Sequence, residues 1–246
     1  MANIGEPGTI QLWYSRGFGN TARSGGFRPS IGIVAALTTG SNALGMPLIR
    51  EVVPGDVDAL YEVCLRTGDG GSDATALYKN PRLLGEVYVG PYVWLPEAIG
   101  FCAVDDDRAS GYVLAAVDTR RFEAQCEADW WPALRSRYPD PGPDPQTPDE
   151  RVIAGIHRPP SADDGLIADF PAHIHLDLLP RLQGRGVGRI MMERILATLA
   201  GRNAPGVHLV ADARNRRAIG FYRHLGFSTL ERDPEVVVMG IRLGRG

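Results

Sequence analysis

The sequence predicts a mixed α/β fold, one central sheet with helices on both faces. Three observations lead there. Residues 174–179 form an apolar run that Pro180 ends, because proline lacks the donor a strand ladder needs. The turn Gln183-Gly184-Arg185-Gly186-Val187-Gly188 comes next, and Val187, Ile190, Met191, Ile195 and Leu199 then recur at helical spacing. Strand-rich segments flank this strand–turn–helix unit on both sides.

In chain order, residues 1–45 are rich in Gly, Ser, Thr and Asn and show no helical or strand period, so they are read as a mobile N-terminal extension. Arg23 and Arg28 before the short apolar run 31–37 imitate a secretion signal only faintly, and that reading is rejected. Met46 reads as the natural start, and deleting residues 1–45 is expected to leave stability and activity intact. The remainder, 46–246, reads as one domain with a helical, proline-rich insertion at about 119–170. A strand over 48–53 precedes Pro54, and Asp56 is placed as the N-cap of a helix over 57–66. A glycine-dense loop covers 67–73, and helical residues over 82–89 stop at Gly90-Pro91. Residues 98–104 and 111–117 pair as a hairpin around Asp105-Asp106-Asp107-Arg108. The insertion holds a helix over 120–137, a connector over 138–148 with five prolines, and a short helix over 150–157. After the central unit come a strand over 207–211, a helix over 215–225 closed by Gly226, and an antiparallel pair, 227–230 with 236–243.

Composition narrows the function. At 246 residues, with 44% hydrophobic and 22% charged, the chain can bury a sizeable core. A net charge of −3 gives no basic excess for nucleic acid or an anionic membrane, although Arg214, Arg216 and Arg217 form a local basic cluster. Three cysteines without a C-x-x-C pair make a disulfide framework or a zinc site a poor fit, and a reducing cytoplasm suits them. No apolar run reaches the roughly 20 residues that a membrane span needs.

The glycine turn leaves two readings open. It is either a plain helix start or a pyrophosphate seat. In the second, glycines at 184, 186 and 188 admit positive φ and close backbone approach, the first helix amides face outward at the positive end of the dipole, and Arg185 and Arg189 add charge.

Gln183-x-x-Gly186-x-Gly188, taken with Asn215-Arg-Arg-Ala-Ile-Gly-Phe-Tyr-Arg-His-Leu-Gly-Phe227, resembles the GNAT superfamily of acetyl-CoA-dependent N-acetyltransferases. A closer likeness covers about residues 48–230. Gly68-Asp-Gly-Gly-Ser-Asp-Ala74, Leu83-Leu-Gly85, Gly90-Pro91, Gly111-Tyr112 with Val117-Asp118, and Trp131-Pro132 with Arg137-Tyr138 are similar to the acetyltransferase-like C-terminal domain of animal O-GlcNAcase and its stand-alone bacterial relatives. The likeness covers no glycoside hydrolase segment, so that activity is not implied. In the animal domain the glycine loop is degenerate; in this chain it is intact.

The resemblance implies a mostly antiparallel sheet splayed between its fourth and fifth strands, with acetyl-CoA as the acetyl donor and no metal. Acetyl-pantetheine would pair with backbone near Leu178 and Leu179, and an amide there would polarise the thioester carbonyl. The loop from Gln183 through Gly184, Arg185, Gly186, Val187 and Gly188 to Arg189 would take the pyrophosphate. Asn215 would bond the pantetheine arm, cap its helix, or do both. Tyr222 would be the general acid that protonates the departing thiolate, against the alternative of a buried aromatic; Phe221, Leu225 and Phe227 read as core.

For the base, His173, His175 and Asp177 alternate onto one strand face. They read as a proton relay, as metal ligands short of a full set, or as a hydrogen-bonded polar face. Asp177 is the preferred base, with His175 beside it. Asp69 and Asp73 lie where the fold shapes its acceptor pocket and would hold a cationic substrate, unless they are a solvated turn. Trp130 and Trp131 either stack on an acceptor or pack internally. The expected partner is a small-molecule or peptide amine, with no nucleic acid and no membrane, and a homodimer through the closing strands is open. A catalytically silent acetyl-CoA-binding module and a protein-lysine acetyltransferase remain the rival readings.

Overall fold

The structure, a computed structural model, describes residues 45–244. The extension expected over 1–45 therefore lies, apart from Gly45, outside the described residues.

Seven strands form one sheet in the order β1-β2-β3-β4-β5-β7-β6. They are β1 Leu48–Glu51, β2 Ala98–Asp105, β3 Arg108–Ala116, β4 Ala172–Leu178, β5 Gly206–Asp212, β6 Ser228–Arg232 and β7 Val236–Arg242. Every neighbouring pair is antiparallel except β4 with β5. A parallel pair needs a long crossover, and α8 (Val187–Gly201) supplies it. β4 and β5 are registered only at Ala172 with Val207 and His173 with His208, after which they part. The final strand β7 inserts between β5 and β6 and extends the sheet beyond the fork.

Period-two alternation sorts the strand side chains onto two faces. Val113, Ala115, Ile174 and Leu209 face the buried stripe of α8, Met191, Met192, Ile195 and Leu199, joined by Ile219 and Tyr222 of α9 (Arg216–His224). Tyr112, Leu114 and Ala116 face the other way, toward Leu60, Leu83 and Leu84. Those come from α1 (Val57–Thr67) and α2 (Leu83–Tyr88), with α3 (Gly90–Trp94) directly after. Between β3 and β4 run α4 (Thr119–Gln125), α5 (Trp131–Arg137), α6 (Pro148–His157) and α7 (Asp164–Asp169).

Several expectations change in detail. Gly90-Pro91 does not stop helical structure but starts α3, since proline fits the first helical turn, where its missing N–H costs nothing. Asp56 holds the N-cap position of α1, as expected, but its carboxylate bonds no amide of that helix: it pairs with Arg50 at 2.7 Å and accepts the Val53 amide at 2.9 Å, and the Arg50 bond holds its pKa below the usual range. The helix expected over 120–137 is broken into α4, a π-helical turn over Cys126–Trp130 and α5. α7, capped by the Asp163 side chain on the Leu166 amide, had no sequence-level reading. The hairpin turn is made by Asp106 and Asp107, both at positive φ (50° and 59°), a conformation aspartate tolerates better than most residues. No helix among the described residues is long and apolar enough to cross a membrane.

Candidate active site

The site lies in the fork between β4 and β5. The Leu179 amide donates to Ser110 O at 3.0 Å, in register with the β3–β4 ladder. Backbone direction alternates along an antiparallel strand, so Leu178, one residue back, turns its N–H and C=O away from β3 and into the fork. This corrects half of one expectation. The Leu179 amide is committed to the sheet, so of these two residues only Leu178 presents backbone to the gap.

Pro180–Leu182 then makes one 3₁₀ turn and leads into the glycine loop. Gly184 and Gly186 sit at φ 74° and 80°, and a Cβ on either would meet nothing within 4 Å. Glycine is needed there for backbone conformation rather than for room. Gly186 is the N-cap of α8, and the first intrahelical donor is Ile190 N to Gly186 O at 3.2 Å. The amides of Val187, Gly188 and Arg189 precede that bond at the positive end of a 15-residue helix.

Around this loop lies a cavity of about 610 Å³. The glycine turn and its surroundings contribute Gln183, Gly184, Gly186, Gly188, Arg189 and Arg217 to its lining. Arg189 pairs with Glu193 at 2.8 Å, but both are exposed, and such an i,i+4 pair is worth only about 0.3–0.5 kcal/mol, so the guanidinium is cheaply redirected. Arg185 does not line the cavity; it is bonded to Gly45 O and, at 3.4 Å, to Arg181 O. The second cation at the cavity is instead Arg217, read in the sequence only as part of a basic cluster. Arg214 of that cluster faces away, into ion pairs with Asp69 and Asp212 at 2.8 Å each.

The same lining includes Thr67, Gly70, Gly71, Ser72, Asp177 and Tyr222. Asp177 accepts the Tyr112 hydroxyl at 2.6 Å, and the Thr67 hydroxyl adjoins the same carboxylate. Burial raises the Asp177 pKa more than these hydroxyls lower it. Tyr112 itself is 1% exposed, and the Cys64 thiol adjoins its hydroxyl. The Tyr222 hydroxyl has no hydrogen-bond partner among the described residues, and burial first, then the Asp177 charge, keeps it protonated well past neutral pH.

His175 is not placed for proton transfer. The Thr119 hydroxyl donates to Pro171 O at 2.7 Å, so His173 Nδ1, 2.8 Å away, is the donor to Thr119. His173 Nε2 then accepts the Tyr92 hydroxyl at 2.6 Å, and His175 Nε2–H donates to the Tyr92 oxygen at 2.9 Å. Tautomers assigned from this network are both neutral. Burial and the neighbouring His208 push the His175 pKa down to about 4, and His175 does not line the cavity. The polar-face reading therefore holds for His173 and His175, and among the described residues no cluster of three or more His, Cys, Asp or Glu could hold a metal.

Asp69 and Asp73 also depart from expectation. Asp69 is tied to Arg214, and Asp73 is held in a local turn by the Thr75 amide and hydroxyl at 2.9 and 2.5 Å; neither lines the cavity. Their loop still shapes the mouth, because the Asp69–Arg214–Asp212 bridge pins it over the start of α9. There Gly71, at φ 93°, leaves no space for a Cβ, which would meet Asn215 Nδ2 at 2.7 Å. Asn215 caps α9 through Oδ1 to the Ala218 amide at 3.0 Å, while lining the cavity. Trp130 packs over Gly90 and donates to Glu86 O at 2.9 Å, and Trp131 packs against the same core, so neither forms a stacking platform in the cavity. Phe221 is only partly buried and lines the cavity against Gly188.

A sheet parted between its fourth and fifth strands, with a glycine turn and helix N-terminus at the fork, is the arrangement of GNAT acetyltransferases. The family profile described as "Acetyltransferase (GNAT) family" matches residues 74–227, and the chain belongs to that family. Protein O-GlcNAcase of Rattus norvegicus is 26% identical over 198 residues, 78% of this chain but 22% of that protein, so the chain spans about a fifth of that relative. A GCN5-like protein acetyltransferase of Mycobacterium tuberculosis is 33% identical over 123 residues, covering 48% of this chain and 58% of the relative. The crystal structure of SsHAT superposes with a TM-score of 0.74 at 37% identity, over 81% of this chain and 99% of that one.

Proposed function

We propose that the chain transfers an acetyl group from acetyl-CoA to a primary amine, by direct attack within a ternary complex. One observation carries the proposal: Asp177 and Tyr222 line the same cavity as the glycine turn. The donor would lay its diphosphate on the amides of Val187 and Gly188, with Arg189 and Arg217 near it, and its pantetheine arm along Leu178. Acetyl-CoA supplies an activated thioester; the rest of the chemistry falls to the chain.

An alkylamine has a pKa near ~10.4 and must lose a proton before it attacks. Asp177, its basicity raised by burial, takes that proton, and Tyr112 holds the carboxylate in place. The Leu178 N–H faces the fork, where it stabilises developing oxyanion charge, an effect of about 2.7–4 kcal/mol for one donor in comparable sites. Tyr222, held protonated, delivers a proton to the departing thiolate, and the second proton that the nitrogen sheds as the amide forms restores the phenol.

Two experiments test this. Saturating acetyl-CoA should raise the melting temperature, and thiol release should be detected with an amine in the acceptor panel. No stabilisation by acetyl-CoA defeats the donor assignment; stabilisation without turnover on any amine favours a binding module. The mycobacterial relative, a GCN5-like protein acetyltransferase, supports a second acceptor class, protein lysine, so the panel includes lysine peptides beside small amines.

A further inference from the structure

The Leu178 carbonyl is already engaged. Gln183 Nε2 donates to it at 2.7 Å, and Arg217 Nη1 donates to Gln183 Oε1 at 2.5 Å. The two bonds together fix the carboxamide's orientation. A flipped amide would set its N–H₂ against a guanidinium and its oxygen against a carbonyl. The chain therefore places a primary carboxamide, aligned by a cation, on the strand carbonyl that the β3–β4 register turns into the fork.

This is the chemistry a pantetheine amide would bring to the same atom: a planar N–H donor lying beside β4. Gln183 lines the cavity and reaches Leu178 from only five residues further along the chain, by way of a flexible side chain. Its departure would leave no buried polar atom unpaired if another amide took its place.

Resting on acetyl-CoA as the donor, we propose that the Gln183 carboxamide is a displaceable stand-in for the donor's pantetheine amide. It keeps the Leu178 carbonyl paired and yields that position when the thioester arm enters, with Arg217 holding the departing carboxamide in register. Gln183 then tunes affinity for the pantetheine half of the ligand and is no fixed part of the seat. It is a specificity-determining residue, because a ligand without an amide at that position has nothing to offer the carbonyl in exchange.

The test compares two ligands by titration calorimetry: coenzyme A, and its nucleotide half, 3′-phosphoadenosine 5′-diphosphate. Gln183→Met keeps the volume and removes the competing donor; Gln183→Ala is the second variant, and a melting curve of each checks the fold. If the carboxamide competes, the ratio of the nucleotide-half Kd to the coenzyme A Kd rises about 2- to 10-fold in both variants, the worth of one hydrogen bond. Any loss of phosphate contacts affects both ligands and cancels in the ratio. An unchanged or reduced ratio overturns the proposal, since Gln183 would then share the carbonyl's second lone pair or support the arm directly. Wild-type protein that binds no coenzyme A removes the donor assignment itself, an outcome distinct from failure in the variants alone.

Discussion

The Tyr112 hydroxyl stands 2.6 Å from Asp177 Oδ2, across the β3–β4 ladder and beneath the floor of the cavity. A hydroxyl donating to a carboxylate favours the charged form, so its removal should raise the Asp177 pKa. Tyr112→Phe is expected to move the acid limb of the kcat/KM profile up by about 1–2 pH units, the equivalent of a hydrogen bond to a charged group. Affinity for acetyl-CoA should stay within twofold. An unmoved acid limb would remove Tyr112 from the proton-transfer machinery and weaken Asp177 as the base.

Tyr222→Phe removes only the hydroxyl that faces the cavity. General acid catalysis is typically worth about 10²–10⁴-fold, so turnover should fall by at least the lower figure. Calorimetric affinity for acetyl-CoA should be nearly unchanged. Equal rates for wild type and variant would leave Tyr222 as a packing residue.

The buried histidines set an acid limit on stability. Burial holds His175 and His208 at about 4 and His173 well below its ordinary value. An unfolded histidine titrates near ~6.5. Between these values the unfolded chain binds more protons than the folded one, so stability is complete above about pH 6.5 and is lost as the pH falls toward 4. Each histidine at about 4 should cost on the order of 3 kcal/mol by the bottom of that window. Carboxylates held low, such as Asp56, act mainly below the window. The urea midpoint should therefore fall steadily between pH 6.5 and 4.5; a flat midpoint contradicts the neutral Thr119–His173–Tyr92–His175 chain.

Asp69 and Asp73 should behave as structural residues. Asp73→Asn is expected to leave the acceptor KM within twofold. Asp69→Asn breaks an exposed bridge to Arg214 and should cost about 1 kcal/mol or less by urea denaturation. A tenfold rise in acceptor KM for Asp73→Asn would place it in the acceptor pocket after all.

Local patterns foretold the parts of the site that depend on backbone. The turn from Gln183 to Gly188 announces itself because positive φ at 184 and 186 requires glycine, and the apolar stripe of α8 follows at its own period. Asn215 was readable as a cap for the same reason. Side-chain partners were another matter. Tyr112 and Asp177 are 65 residues apart, and only strand register places one opposite the other. The acidic loop reads as a cation site in the sequence, but Arg214, 145 residues from Asp69, stands against it. His175 reads as a base in the sequence, but its partner is Tyr92, from a short helix that begins at Gly90-Pro91, where the local pattern ends helical structure.

The sequence alone determined the order of elements, the glycine turn and the membership of family that these imply, because dihedral preference and hydrophobic period act over a few residues. The tertiary structure decided which carboxylate meets the cavity, which arginines face it, and which backbone amide is left to the fork. Those outcomes depend on pairing between strands and on burial, and a linear pattern encodes neither directly.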